Sequence, residues 1–299
     1  MSVTQALSID PGSTRAKILN EVNPDDFRWA LPIMRTGYSG RGLVYTVVAG
    51  LSLWSIWRGG EAQGTQSAMQ SLSGTWGTVI LIAIAVGMFA YAIWRLVDAI
   101  WDLEAYGTEA KGLVARAGMI VTGLAHAGIG VLALGALGWM QANSGGGEGG
   151  GSSSYISAIL QMPGGVWIVG MAGLLTLAAG GYYIRKAVKQ DYLDSLAANR
   201  VTRHLNLVLQ IGVAAQGVVV GVIGGLILYA ALRNNPEEAG GLDAVFEWLR
   251  DQPYGQVLVT VLCLGLLGFA LFCFVNAAYR IIPKAYDGDT PSLTTYQNR

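Results

Sequence analysis

Residues 255–282 read GQVLVTVLCLGLLGFALFCFVNAAYRII, with no charged side chain before Arg280. Wound as an α-helix at about 1.5 Å per residue, such a run crosses the roughly 30 Å hydrocarbon core of a bilayer. Five further stretches have the same character, near Gly40–Ile56, Thr78–Val97, Leu113–Met140, Val166–Val188 and Leu205–Leu232. The expected fold class is therefore all-α integral membrane, with six transmembrane helices. Composition agrees: 53% of the 299 residues are hydrophobic and 13% charged, about half the usual charged share of soluble domains. That balance excludes a disordered chain and an ordinary soluble globule. With 19 Lys and Arg against 19 Asp and Glu, no net positive field is left to hold nucleic acid.

Charge sets the expected orientation. Of the 19 Lys and Arg, all but Arg58, Arg233 and Arg250 fall on the side that holds both termini. The positive-inside rule makes that side cytoplasmic. Residues 1–34 form a polar segment without an apolar core of signal-peptide type, so the first span is expected to direct insertion. The expected location is a bacterial cytoplasmic (inner) membrane. Cys263 and Cys273 share the sixth span, about 15 Å apart along a helix, beyond the reach of a disulfide. No His/Cys cluster has metal-ligand spacing, and no P-loop, G-x-S-x-G or H-E-x-x-H motif occurs.

The spans repeat in pairs. Arg35-x-Gly37-x-x-x-Arg41-Gly42 opens the first span, Arg116-x-Gly118-x-x-x-Thr122-Gly123 the third, and Gln210-x-Gly212-x-x-x-Gln216-Gly217 the fifth. The partner spans align through Tyr91-Ala-Ile-Trp-Arg95-x-x-Asp98, Tyr182-Tyr-Ile-Arg-Lys186 and Phe269-Ala-Leu-Phe-Cys273-x-x-Asn276. Short apolar segments around Ala68, Ala158 and Ala244 are expected as surface helices between partners. The units are thus 35–104, 105–196 with a Gly-rich outer insertion at 145–151, and 197–283, followed by a cytoplasmic tail at 284–299. Two spans per unit give every copy the same orientation, so a compact pseudo-threefold bundle is expected about the membrane normal. Small residues such as Gly42, Gly123 and Gly217 should let helices approach closely, with the odd spans forming an inner ring.

The motif openings, the Tyr91–Arg95 stretch and the ending Phe269–Arg280 together resemble the bacterial membrane family catalogued as domain of unknown function 1206. The resemblance runs from about Arg35 to Arg280 and implies three two-helix repeats in a cytoplasmic membrane, with no activity attached. Thr122 and Gln216 depart from the family pattern where a second Arg is usual, and Asn276 where an acid is usual.

Polar residues inside spans usually have partners or a function. The repeat alignment brings Arg41, Thr122 and Gln216 to one level, with Tyr45 and His126 one turn deeper on the same faces. With Gln210 at the head of the third motif, they define a candidate polar vestibule for an anionic headgroup, a carboxylate or a quinone carbonyl. The alternative is that Arg41 snorkels to the cytoplasmic surface. His126, flanked by Ala125, Ala127, Gly128 and Gly130, is a candidate axial ligand for haem or chlorophyll; its alternative is a hydrogen bond inside the bundle. Arg95 and Asp98 stand at i and i+3 and can pair in a charge cluster with Asp102 and Glu104.

Three function classes follow. A non-enzymatic accessory or assembly subunit of a respiratory or photosynthetic complex fits the short loops and the missing catalytic constellation, with other membrane subunits and the bilayer as partners. A small-solute transporter or channel is the second, though no span is broken by Pro. A haem, quinone or chlorophyll binder centred on His126 is the third. An enzyme is not expected, since no nucleophile–base pair is visible.

Overall fold

The computed structural model describes residues 22–139, 152–285 and 291–297, with isolated positions before residue 22. The insertion expected at 145–151 lies outside the described residues. Six long helices dominate: α1 Ala30–Trp57, α3 Gly74–Trp101, α4 Ala110–Ala136, α6 Gly165–Lys189, α7 Arg200–Arg233 and α9 Gly255–Tyr279. Three short helices link them, α2 Thr65–Ser71, α5 Ser152–Leu160 and α8 Leu242–Arg250, and α10 Leu293–Gln297 follows. Each unit is thus long helix, short helix, long helix. The sole β pairing among the described residues is two isolated bridges, Leu196 to Arg280 and Ala197 to Ser292.

Five of the long helices, α3, α4, α6, α7 and α9, are long and apolar enough to cross a membrane. They imply a lipid bilayer around a multi-pass protein. Helix α1 is as long as α3 but more polar, because it carries Arg35, Arg41 and several Ser and Gly. Its place in the fold explains this in part. Arg41, Ser52 and Tyr38 are all buried, so these polar groups face protein, while Arg35, Thr36, Ser39 and Thr46 are exposed.

The helices pack in the order α4–α3–α1–α9–α7–α6. The expected inner ring of odd spans is not what forms. Helices α1, α4 and α7 do not pack on one another; each lies between, or beside, even-numbered spans in a single file of six. The reason lies in the two glycines of the motif. A Cβ at Gly42 would strike the Phe274 ring, one at Gly123 the backbone of Ala92 and Cβ of Arg95, and one at Gly217 the Ile184 side chain. The second glycine therefore joins each repeat to its neighbour, in all three copies. The first glycine closes the hairpin within a repeat. A Cβ at Gly37 would lie 2.6 Å from Cα of Tyr91, and one at Gly212 would collide with the backbone of Gly268 and Phe269. Their equivalent in the middle repeat, Gly118, has nothing within 4 Å. Accordingly α4 and α6 do not pack along each other. The six helices thus form a file whose two ends, α4 and α6, do not pack along each other.

The short helices cap one end of the bundle. The Asp243 carboxylate of α8 accepts hydrogen bonds from the Gly64 N–H at 2.9 Å and the Ser67 hydroxyl at 2.6 Å, and Arg250 pairs with Glu61. The surface helix of the third repeat is thereby tied to that of the first. At the other end, Arg116 donates to the carbonyls of Ala99 and Ile100 and Lys284 to that of Trp101. These cations cover the exposed carbonyls that end α3.

Candidate functional site

The centre of the site is Tyr91, fully buried on α3. Its hydroxyl accepts from Nη1 of Arg41 at 3.1 Å and from Nε of Arg95, one turn along the same helix, at 3.1 Å. Two guanidinium groups from different helices thus share one neutral oxygen. Arg41 also stands over the rings of Phe269 at 4.9 Å, Tyr91 at 5.3 Å and Tyr45 at 5.9 Å. The groups nearest its charge include Tyr183 of α6 and Cys273 of α9. On the remaining side, the His126 ring of α4 lies 4.6 Å from that of Tyr91. Arg41 is therefore reached from α1, α3, α4, α6 and α9.

Arg41 is only 4% exposed, so it does not snorkel to the surface. Among the described residues no carboxylate lies within ion-pair distance of it, and its Nε has no hydrogen-bond partner. The neighbouring cations are provided for. Arg95 pairs with Asp98 at 3.5 Å, and Arg280 with Glu104 at 2.5 Å. Arg280 further donates to Oδ1 of Asn276 at 2.8 Å, and the Glu104 N–H donates to Asp98 at 3.2 Å. These bonds chain the two pairs into one network between the ends of α3 and α9. Three enclosed guanidinium groups therefore face two carboxylates, and Arg41 is the one left over. Cation–π contacts at desolvated sites contribute about 2 kcal/mol or more each, of the same order as the several kcal/mol that an isolated buried charge costs. The rings supply no acceptor for Nε, which stays without a hydrogen bond.

The expected site residues separate into two groups. Arg41, Tyr45 and His126 come together around Tyr91, and Arg95 pairs with Asp98 as the spacing implies. Thr122 contributes mainly its carbonyl, 2.7 Å from Nδ1 of His126, while its hydroxyl turns back to Gly118 O. Gln216 is buried with Oε1 unpaired, and nothing connects it to Arg41. Gln210 faces Gln190 at 3.4 Å, away from the cluster. A macrocycle on His126 does not fit this arrangement. The imidazole lies in the protein interior against Tyr91, whereas Ala125 and Gly128 are on the exposed side of α4. The flat face and the ligand nitrogen point different ways.

Sequence reasoning met Tyr91 only as part of a repeat motif and Glu104 only as part of a charge cluster, without a role in the site for either. Tyr91 heads the stretch shared by the even-numbered spans, which was signal enough. The bond between Glu104 and Arg280 joins residues 176 apart, and neither helix pattern carries it. Its field reaches Tyr106, whose hydroxyl is pushed above its ordinary range by the Glu104 carboxylate and by burial.

The fold and site define a class: a multi-pass helical protein built from three copies of one two-helix unit around a buried cationic centre. The family described as Domain of Unknown Function (DUF1206) matches three times, at residues 36–102, 117–190 and 211–280. The chain belongs to that family. It is also similar to the uncharacterized protein YxxB of Bacillus subtilis (strain 168), 26% identical over 271 residues, covering 89% of this chain and 95% of that one. No solved structure matches.

Proposed function

We propose that this chain is a non-enzymatic membrane protein that binds an anion at Arg41. The observation that carries the reading is the enclosed guanidinium that lacks a carboxylate and shares a neutral hydroxyl with a second cation. An anionic oxygen there would accept from the free Nε and replace a cation–cation approach by charge-assisted hydrogen bonds. In this reading all six long helices cross a bacterial cytoplasmic membrane, with Arg41 and Ser52 of α1 buried inside the protein. Both termini are cytoplasmic, as the bias of Lys and Arg to that side supports.

The test uses the full chain purified in a neutral detergent. Inorganic phosphate or acetate at about a hundred times its dissociation constant stabilises a binding protein by about 2.7 kcal/mol, read as a rise in the thermal unfolding midpoint. Arg41→Gln removes the positive charge and should abolish the rise. An equal rise in the variant would defeat the proposal.

A second reading, an accessory or assembly subunit of a larger membrane complex, is favoured by the apolar faces that α4 and α6 leave open. It expects co-migration with a defined complex in native gels from gently solubilised membranes. A protein that always runs at its own size would argue against it.

A further inference from the structure

Both long helices of the middle repeat, which do not pack along each other, carry groups near the same cation. In the first and third repeats the seam between partner helices is shut. Gly40 backs onto Gly87 and Ala215 onto Gly265, close enough that an added Cβ would collide. Ile84, Leu262, Tyr91 and Phe269 lie buried along it. The middle repeat puts Val121 where Gly40 stands, Leu175 where Ile84 stands and Tyr182 where Tyr91 stands, and these are 67%, 66% and 51% exposed. The same three positions that close two hairpins therefore stand exposed on two helices that do not pack along each other. Those two helices also carry inner groups of the site. His126 projects from α4 onto Tyr91, and Tyr183, next to Tyr182 on α6, is among the groups nearest Arg41. Lys186, a turn further along α6, is half-buried and adds a second cation at the inner edge.

We infer that the ligand is an anionic amphiphile, an alkyl chain bearing a phosphate or carboxylate, whose headgroup reaches Arg41 through the seam between α4 and α6 while its chain remains between them. This rests on the anion-binding reading of Arg41 and adds the substrate class and the route. The chemistry of the two parts is matched: a buried guanidinium with a free Nε and no carboxylate partner among the described residues at the inner end and aliphatic side chains along the way out. A hydrophilic anion would have no use for an entrance lined by Val121 and Leu175 within hydrocarbon. An amphiphile keeps its chain in apolar surroundings throughout, at about 0.8 kcal/mol per buried CH2.

The experiment places the full chain in phosphatidylcholine nanodiscs and measures binding of dodecyl phosphate and of inorganic phosphate. Dodecyl phosphate should bind saturably, one per chain, and more tightly than inorganic phosphate by at least a hundredfold. Arg41→Gln should weaken both at least tenfold. The double variant Val121→Trp with Leu175→Trp changes only exposed positions, so it should fold; it adds bulk at the proposed entrance and should weaken dodecyl phosphate at least tenfold while leaving inorganic phosphate unchanged. If both ligands bind equally and the Trp pair alters neither, the seam is no entrance and this inference falls, while the anion site stands. If neither ligand binds, or Arg41→Gln has no effect on binding, both readings fall together. Nanodiscs containing phosphatidic acid separate the sources. Competition with dodecyl phosphate identifies a bilayer lipid headgroup as the natural ligand, and its absence together with intact dodecyl phosphate binding identifies a free amphiphile.

Discussion

The middle repeat and its two neighbours are built to one plan and differ in a single respect. Each has the motif opening, the short surface helix and the returning long helix, and each joins the next repeat through the second motif glycine. In the first and third repeats the two long helices also close on each other, whereas α4 and α6 stand apart. The difference teaches that the motif encodes two contacts separately. Gly42, Gly123 and Gly217 hold the file together; Gly37 and Gly212 shut the hairpins, and Gly118 leaves its own unshut. The joints between repeats thus form whether or not the hairpin beside them closes, and one hairpin can be spared for another use.

The largest test of this division concerns charge. Arg280→Met would remove the guanidinium that pairs with the buried Glu104 carboxylate, a change that typically costs about 3–5 kcal/mol. For comparison, the middle repeat has the exposed pair of Arg185 with Asp191, 3.8 Å apart. Arg185→Met should cost no more than about 1 kcal/mol. Unfolding in mild detergent, followed by circular dichroism, measures both. Comparable losses would mean that the ion pair between α3 and α9 does not carry the file.

The second test goes to the seam itself. Gly37→Leu and Gly212→Leu force a side chain against backbone of the partner helix, which overpacks the contact and typically costs about 1–3 kcal/mol or more. Gly118→Leu meets open space, and a surface change of this sort stays within about 0.5 kcal/mol. The three substitutions are chemically identical and occupy equivalent positions. If Gly118→Leu destabilises as much as the others, the middle hairpin is closed after all and the proposed route to Arg41 is lost.

What the sequence made legible follows the same division. Local period and composition carry the helices: apolar runs located the six long helices, five of them long and apolar enough to cross a membrane, and spacing around Ala68, Ala158 and Ala244 located the short helices between them. The start of α1 at Ala30 rather than near Gly40 escaped notice because its first turns are not apolar enough to read as span. The motifs carried the repeat, since Gly37, Gly118 and Gly212 stand in identical settings. Their different fates could not be read. Whether a helix face meets a partner or lipid depends on residues elsewhere in the chain, and hydrocarbon is as apolar as a leucine-lined interface. The site was half legible for a related reason. Arg41, Tyr45 and His126 lie on faces that repeat alignment brings together, whereas Tyr91 enters from α3, a helix the inner-ring expectation had placed outside.

The smallest test asks how far the tolerance of the middle repeat extends. All three surface helices turn into the returning span through a residue in the left-handed region: Gly74 at φ 72°, Gly164 at φ 81° and Tyr254 at φ 62°. For an L-residue this conformation costs roughly 1–2 kcal/mol. The third repeat bears that strain at an exposed Tyr254, while the first and second avoid it with glycine. Nothing lies within 4 Å of a Cβ added at Gly164, so Gly164→Ala isolates the backbone cost from any packing effect. It should destabilise by about 1 kcal/mol, although Gly118→Leu, a far larger side chain in the same repeat, should not. Tyr254→Gly should relieve strain in the third repeat, less the entropy that glycine gains in the unfolded chain, for a net change of a few tenths of a kcal/mol. A neutral Gly164→Ala would show that the parted hairpin is loose down to its turn; a measurable cost would show that the turn is as firmly set as in the closed repeats, and that only the seam has been released.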